Sequence, residues 1–146
     1  AGDYNTVLFF AYQVGANAYT VVTYIAGVLG LAWSAGNVYA MGTPEEGAAG
    51  WSIGVWHPVT HRVDRVFVLR DQGIATSGNY EQFRILAGRR VGHLFDARRG
   101  LPADGRLSST VVADDAVHAD LMSTVSFLLG PDRFHWPEAR ATHWIG

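Results

Sequence analysis

The chain has no cysteine, which excludes disulfides and thiolate chemistry and leaves its redox compartment unread. Charge is sparse as well: Asp, Glu, Lys and Arg make up 16% of the residues and the net charge is −2. Without a basic surplus there is no electrostatic footprint for a nucleic acid partner. A long hydrophobic run is also missing. The most apolar stretch, Tyr19 to Trp33, is interrupted by Thr23, Gly27 and Gly30 and is too short to span a bilayer, so it reads as buried structure. The first residues carry no signal-peptide pattern and no initiator methionine, so a processed or partial chain is expected and the compartment is left open.

What remains is apolar and glycine-rich. Hydrophobic residues account for 49% of 146 positions, enough for one globular domain over 1–146 with a sizeable core. Seventeen glycines with few charges suit a sheet-rich domain with tight turns.

Thr6 to Val14 is a β-prone apolar run. Asn17 can cap a helix from Ala18 to about Leu29, stopped by Gly30. Leu31 to Met41 reads as strand, glycine bend, strand, and Gly42 to Gly50 as a turn-rich loop. Trp51–Trp56 and Val63–Leu69 alternate as two strands of a meander. Ile74–Ser77, Arg89–Phe95 and Leu107–Ala113 are further strands. Asp114 or Asp115 caps a second helix from about Ala116 to Leu129, with Gly130 as its stop. Pro131–Ala141 is expected as a short helical segment and Thr142–Ile145 as an edge strand. The order predicts an α+β fold, an antiparallel sheet with two main helices.

Three groups of residues could carry chemistry. Asp120 and Thr124 stand four apart and share one face of the second helix. A carboxylate plus a hydroxyl is a hard-oxygen pair suited to Mg²⁺ or Ca²⁺. The same spacing also arises when a threonine bonds a carbonyl one turn back. In Thr76-Ser77-Gly78-Asn79-Tyr80, glycine after two hydroxyl residues lets the backbone approach a phosphate. An ordinary turn closed by Ser77 and Asn79 is the alternative. In His93-Leu94-Phe95-Asp96-Ala97-Arg98-Arg99-Gly100, His93 can shuttle a proton, although a lone histidine at a strand position is more often structural; Arg98 or Arg99 can clamp a phosphate, and Asp96 can order the turn. The two arginines read equally as solvated loop charges.

Taken together, these segments and Ala119-Asp120-Leu121-Met122-Ser123-Thr124 … Phe127-Leu128-Leu129-Gly130 resemble the C-terminal half of the FAD:protein FMN transferase (ApbE-type) family. The resemblance implies a T-fold-like half domain. It implies Mg²⁺ held by Asp120, Thr124 and a backbone carbonyl, aligned here with Ala16, and FAD contacted by Tyr19, Thr76, Ser77, Gly78 and Arg98. His93 would be the catalytic residue.

The resemblance also has gaps. The family's glycine-rich entry to its first helix is here Ala16-Asn17-Ala18-Tyr19-Thr20-Val21-Val22, which keeps Tyr19 but puts Asn17 where a lysine is expected. A point charge suited to diphosphate is thereby lost. Trp33 stands where a small amide is expected and reads as a core aromatic, and Asn79 replaces an acid. Family members are much longer, and their N-terminal half is not in this sequence. Something must then cover the face it would bury: a second polypeptide, a symmetric copy, or remodelled surface.

Three functions follow. The chain, alone or in a complex, is a Mg²⁺-dependent transferase moving FMN from FAD to a protein Ser/Thr hydroxyl. Alternatively it is a non-catalytic partner subunit of a split transferase-like protein. As a third reading, it is a repurposed fold binding or converting another small molecule.

Overall fold

The structure, a computed structural model, describes residues 30–34, 36–80, 83–103 and 105–146, and for 30–34 the backbone alone. The expected strand at Thr6–Val14 and the expected helix at Ala18–Leu29 lie outside the described residues, as do Ala16 and Tyr19.

Among the described residues, five strands form one antiparallel sheet: β1 (Gly30–Ser34), β2 (Asn37–Met41), β5 (Gln72–Gly78), β10 (Ser108–Ala113) and β11 (Ala141–Ile145), paired in the order β1-β2-β5-β10-β11. A hairpin of β3 (Trp51–His57) and β4 (Arg62–Leu69) forms a separate two-stranded sheet. The alternating apolar pattern thus makes a hairpin, as expected, but the hairpin lies on the main sheet rather than extending it.

The period of two along each strand sorts the side chains into layers. Ile74 and Val112, with Val38, Ala40 and Ile145, pack against Trp51, Ile53, Val55 and Leu69 of the hairpin. On the other face Ala75, Ala113 and Val111 meet the helix through Ala119 and Met122. The architecture is therefore hairpin, sheet, helix.

Helix α1 spans Ala116–Leu129. Its buried residues, Ala119, Met122, Ser123, Ser126 and Phe127, follow the i, i+3, i+4, i+7, i+8 spacing of one helical face. The Asp115 carboxylate caps the start by accepting from the His118 backbone N–H at 2.8 Å. That bond, with a second from the His118 ring, holds the Asp115 carboxyl below its ordinary range. Gly130, at φ 78°, ends the helix in a backbone conformation that disfavours side chains. Arg106 donates to the Phe127 carbonyl at 3.2 Å and so satisfies one acceptor of the last turn. Gly73 admits the helix start to the sheet: a Cβ there would collide with the Asp115 carbonyl.

Two expectations are corrected. Arg89–Phe95 is not one strand: β7 (Arg89–Gly92) pairs with β6 (Phe83–Leu86), and Phe95–Asp96 forms β8 against β9 (Leu101–Pro102). The β6–β7 turn places Ala87 at φ 49° and Gly88 at φ 75°, and these successive left-handed residues form a tight hairpin. Pro131–Ala141 is not helical. Pro137 lacks the amide a helix would use and disfavours the α conformation at Trp136, so only turns form. Phe134 from this segment is buried edge-on against Trp144, with ring centroids 6.3 Å apart.

Candidate active site

The site forms where the end of β5 meets the middle of α1. Strand alternation puts Ser77 on the helix side of the sheet and Thr76 on the hairpin side. Ser77 Oγ lies 2.8 Å from Ser123 Oγ and 2.9 Å from Thr124 Oγ1. Thr76 Oγ1 instead lies 2.8 Å from Thr110 Oγ1 on the neighbouring strand. Of the two hydroxyls expected to act together, the fold brings Ser77 alone to the helix.

Asp120 and Thr124 share one face of α1, as their spacing requires. The Asp120 carboxylate is exposed and has no hydrogen bond or ion pair to another described residue. Thr124 Oγ1 is 3.5 Å from the Asp120 backbone carbonyl, a marginal distance beside its 2.9 Å contact with Ser77. The back-bonded alternative for this threonine is therefore the weaker of its two contacts. A carboxylate and a hydroxyl are hard oxygen donors, and two such protein groups with waters and phosphate completing the shell fit Mg²⁺. Among the described residues no cluster of three or more His, Cys, Asp or Glu side chains could hold a metal by itself. Among the described residues the fit rests on this pair, and Ala16 lies outside them.

Beyond β5 the chain is held by Asn79. Its side-chain amide donates to the Ala103 carbonyl at 2.7 Å, and its oxygen accepts from the Leu94 N–H at 3.4 Å. A Cβ on Gly92 would collide with the Asn79 side chain, so glycine lets β7 approach this close. His93 is exposed on the segment between Gly92 and Leu94, carried to the end of β5 by the same contacts.

The loop after His93 is ordered by Asp96, which is buried. Arg98 engages it with both arms of its guanidinium, Nε to Oδ1 at 3.0 Å and Nη2 to Oδ2 at 3.1 Å. The backbone N–H groups of Arg99 and Gly100 donate to the Asp96 carbonyl. The Arg98 side-chain bond holds the Asp96 carboxyl below its ordinary range, against an opposing effect of burial. Arg98, expected as a phosphate clamp, directs its fork to its own loop. The turn-ordering role expected of Asp96 is present.

Ser123 is the site residue that sequence reasoning passed over. It is wholly buried, contacts Ser77 and donates to the Asp120 carbonyl at 2.9 Å. Its signal was available: it lies three residues after Asp120, on the helix face that carries Ala119 and Met122 to the sheet.

The model of the ApbE family matches residues 29–142. The chain belongs to the ApbE family. A FAD:protein FMN transferase of Klebsiella pneumoniae is 32% identical over 101 residues, covering 67% of this chain and 30% of the relative. One from Haemophilus influenzae is 35% identical over 102 residues, covering 67% and 29%. The crystal structure of the ApbE protein from Thermotoga maritima superposes with a TM-score of 0.64 at 36% identity, over 69% of this chain and 32% of that one. The apo flavinyl transferase ApbE of Pseudomonas stutzeri gives a TM-score of 0.57 at 28% identity, over 71% and 32%. The chain thus spans about 30% of the length of these relatives.

Proposed function

We propose that this chain supplies the metal and phosphate side of a flavin transferase, which moves FMN from FAD to a protein Ser or Thr hydroxyl and releases AMP. The observation that supports this reading most is the 2.9 Å contact between Ser77 Oγ and Thr124 Oγ1. It joins the hydroxyl turn to the helix carrying the carboxylate, so diphosphate and cation donors come from adjacent points of one site.

In this reading Asp120 and Thr124 hold Mg²⁺, which when bound neutralises diphosphate charge in the transition state. Ser77 and the backbone beside Gly78 orient the FMN phosphate. The acceptor oxygen forms a bond to the FMN phosphorus while the bond from that phosphorus to the bridging oxygen breaks. AMP carries that oxygen away, and His93 takes the acceptor's hydroxyl proton. Arg98 is left out of substrate binding, because it acts through Asp96 to keep the loop after His93 in place.

A second reading is supported by the surface. Val66 and Val68 of β4 and Ile85 and Leu86 of the β6–β7 hairpin are each more than half exposed. Together with the partial coverage of the relatives, this favours a domain that works against further polypeptide.

The test is incubation with FAD, Mg²⁺ and a candidate acceptor protein, followed by intact-mass analysis of the acceptor. Gain of an FMN mass, with AMP released in equal amount, supports transfer. FAD that remains intact while the chain binds a second polypeptide supports the non-catalytic subunit.

A further inference from the structure

Three hydroxyls and one carbonyl meet between β5 and α1, and counting their protons orients the whole set. Ser123 Oγ is 2.9 Å from the Asp120 backbone carbonyl, which can only accept. Ser123 Oγ is also 2.8 Å from Ser77 Oγ, and Ser77 Oγ is 2.9 Å from Thr124 Oγ1. Each hydroxyl has one proton to give. If Ser123 gives its proton to Asp120, its contact with Ser77 requires Ser77 to donate. With the Ser77 proton spent, the contact with Thr124 requires Thr124 to donate. This order keeps all three short contacts and gives up only the 3.5 Å approach of Thr124 to the Asp120 carbonyl. The reverse order would have to satisfy the Thr124 proton at that marginal distance while leaving the well-placed carbonyl without the Ser123 proton.

We infer that Ser123 is a positioning residue for the cation site, because it anchors a one-way hydroxyl chain, Thr124 to Ser77 to Ser123 to the Asp120 carbonyl, that commits the Thr124 proton and leaves the Thr124 oxygen lone pairs for a divalent cation. The inference rests on the proposed Mg²⁺ site at Asp120 and Thr124. The chain ends on the backbone of the same residue whose carboxylate would share that cation, so the helix backbone and the Thr124 hydroxyl are set by one network. Its polarity has a direct consequence. Removing the Ser123 oxygen leaves Ser77 without its acceptor, and the Ser77 proton then turns to Thr124 Oγ1, where it occupies one of the two lone pairs and competes with the cation for that oxygen.

A matched control exists in the same interface. Ser109 Oγ and Ser126 Oγ lie 2.6 Å apart, both wholly buried between β10 and α1; Ser109 stands opposite Ser77 in the β10–β5 ladder, but the two hydroxyls pair with each other and not with those of Ser77, Ser123 or Thr124. Loss of the Ser126 hydroxyl removes a buried hydroxyl pair without removing any member of the chain that starts at Thr124.

The experiment has two readouts on the full chain. The first is Mn²⁺ affinity by electron paramagnetic resonance, with the metal alone as probe. Ser123→Ala is expected to weaken binding about 10–100-fold, the range for groups that orient a ligand. Ser126→Ala should bind like the unaltered chain. The second readout needs no metal: in proton NMR the buried Ser123 hydroxyl proton should exchange slowly and couple across its hydrogen bond to the Asp120 carbonyl carbon. Equal losses in Ser123→Ala and Ser126→Ala, or none in either, would overturn the inference while leaving the Mg²⁺ reading intact. A Ser123 proton directed to Ser77 would overturn it too. If the unaltered chain binds no Mn²⁺, the Mg²⁺ reading fails first and the positioning role falls with it, even where NMR shows the hydroxyl order as described.

Discussion

The Asn79 side-chain amide donates to the Ala103 carbonyl across 24 residues of sequence, at 2.7 Å. This bond ties the end of β5 to the segment after β9 and encloses both short hairpins and His93. It also gives a physical reason for the asparagine. The resemblance puts an acid at this position, and an ionised carboxylate cannot donate.

Asn79→Asp should therefore loosen the 92–103 segment. The expected cost is about 1 kcal/mol, the net worth of one hydrogen bond, read as a lower denaturation midpoint with faster amide exchange at Leu94. A midpoint unchanged or raised would mean that Asn79 does not hold this segment.

Gly73 should not tolerate a side chain. Its hypothetical Cβ meets the Asp115 carbonyl and the Ala116 nitrogen, which belong to the helix start and move only if the helix moves. Gly73→Ala is expected to cost about 1–3 kcal/mol by overpacking, with the largest chemical-shift changes at Asp115 and Ala116. Wild-type stability in a denaturant titration would show that the helix stands further from β5.

The Asp96–Arg98 pair predicts a pH dependence with a definite sign. The Arg98 bond holds the folded-state Asp96 carboxyl below its unfolded value. Its stabilisation is thus fully present above the ordinary carboxylate range and is lost as pH falls through the depressed folded value. NMR titration of the Asp96 carboxyl carbon should show that lowered midpoint, and Arg98→Ala should raise it. Amide protection at Gly100, whose N–H donates to the Asp96 carbonyl, should fall in acid and stay constant around neutral pH. An Asp96 midpoint insensitive to Arg98→Ala would contradict the pairing.

Much of this fold was legible because its signals were local. Asp115 and Gly130 bracket α1 as cap and stop, and the apolar spacing between them chose the buried face. The β6–β7 hairpin was hidden because its turn uses Ala87 at a positive φ, where sequence reasoning looks for Asn or Asp before glycine. The segment after Gly130 looked helical by composition, but Pro137 decided against it. At the site, spacing put Asp120 and Thr124 together, and strand alternation explains why Thr76 and Ser77 part. What spacing along one element cannot carry is a contact between elements. Ser77 meets Ser123 and Thr124 across more than forty residues.

The central claim is that Asp120 and Thr124 hold the cation against which FAD binds. The most direct test is a native mass spectrum of the chain with FAD, with and without Mg²⁺, repeated on Asp120→Ala. The account predicts a FAD adduct that requires Mg²⁺ and disappears in Asp120→Ala, while the variant keeps its fold because the exposed carboxylate supports no described contact. A FAD adduct that forms equally without Mg²⁺, or survives in Asp120→Ala, would contradict it.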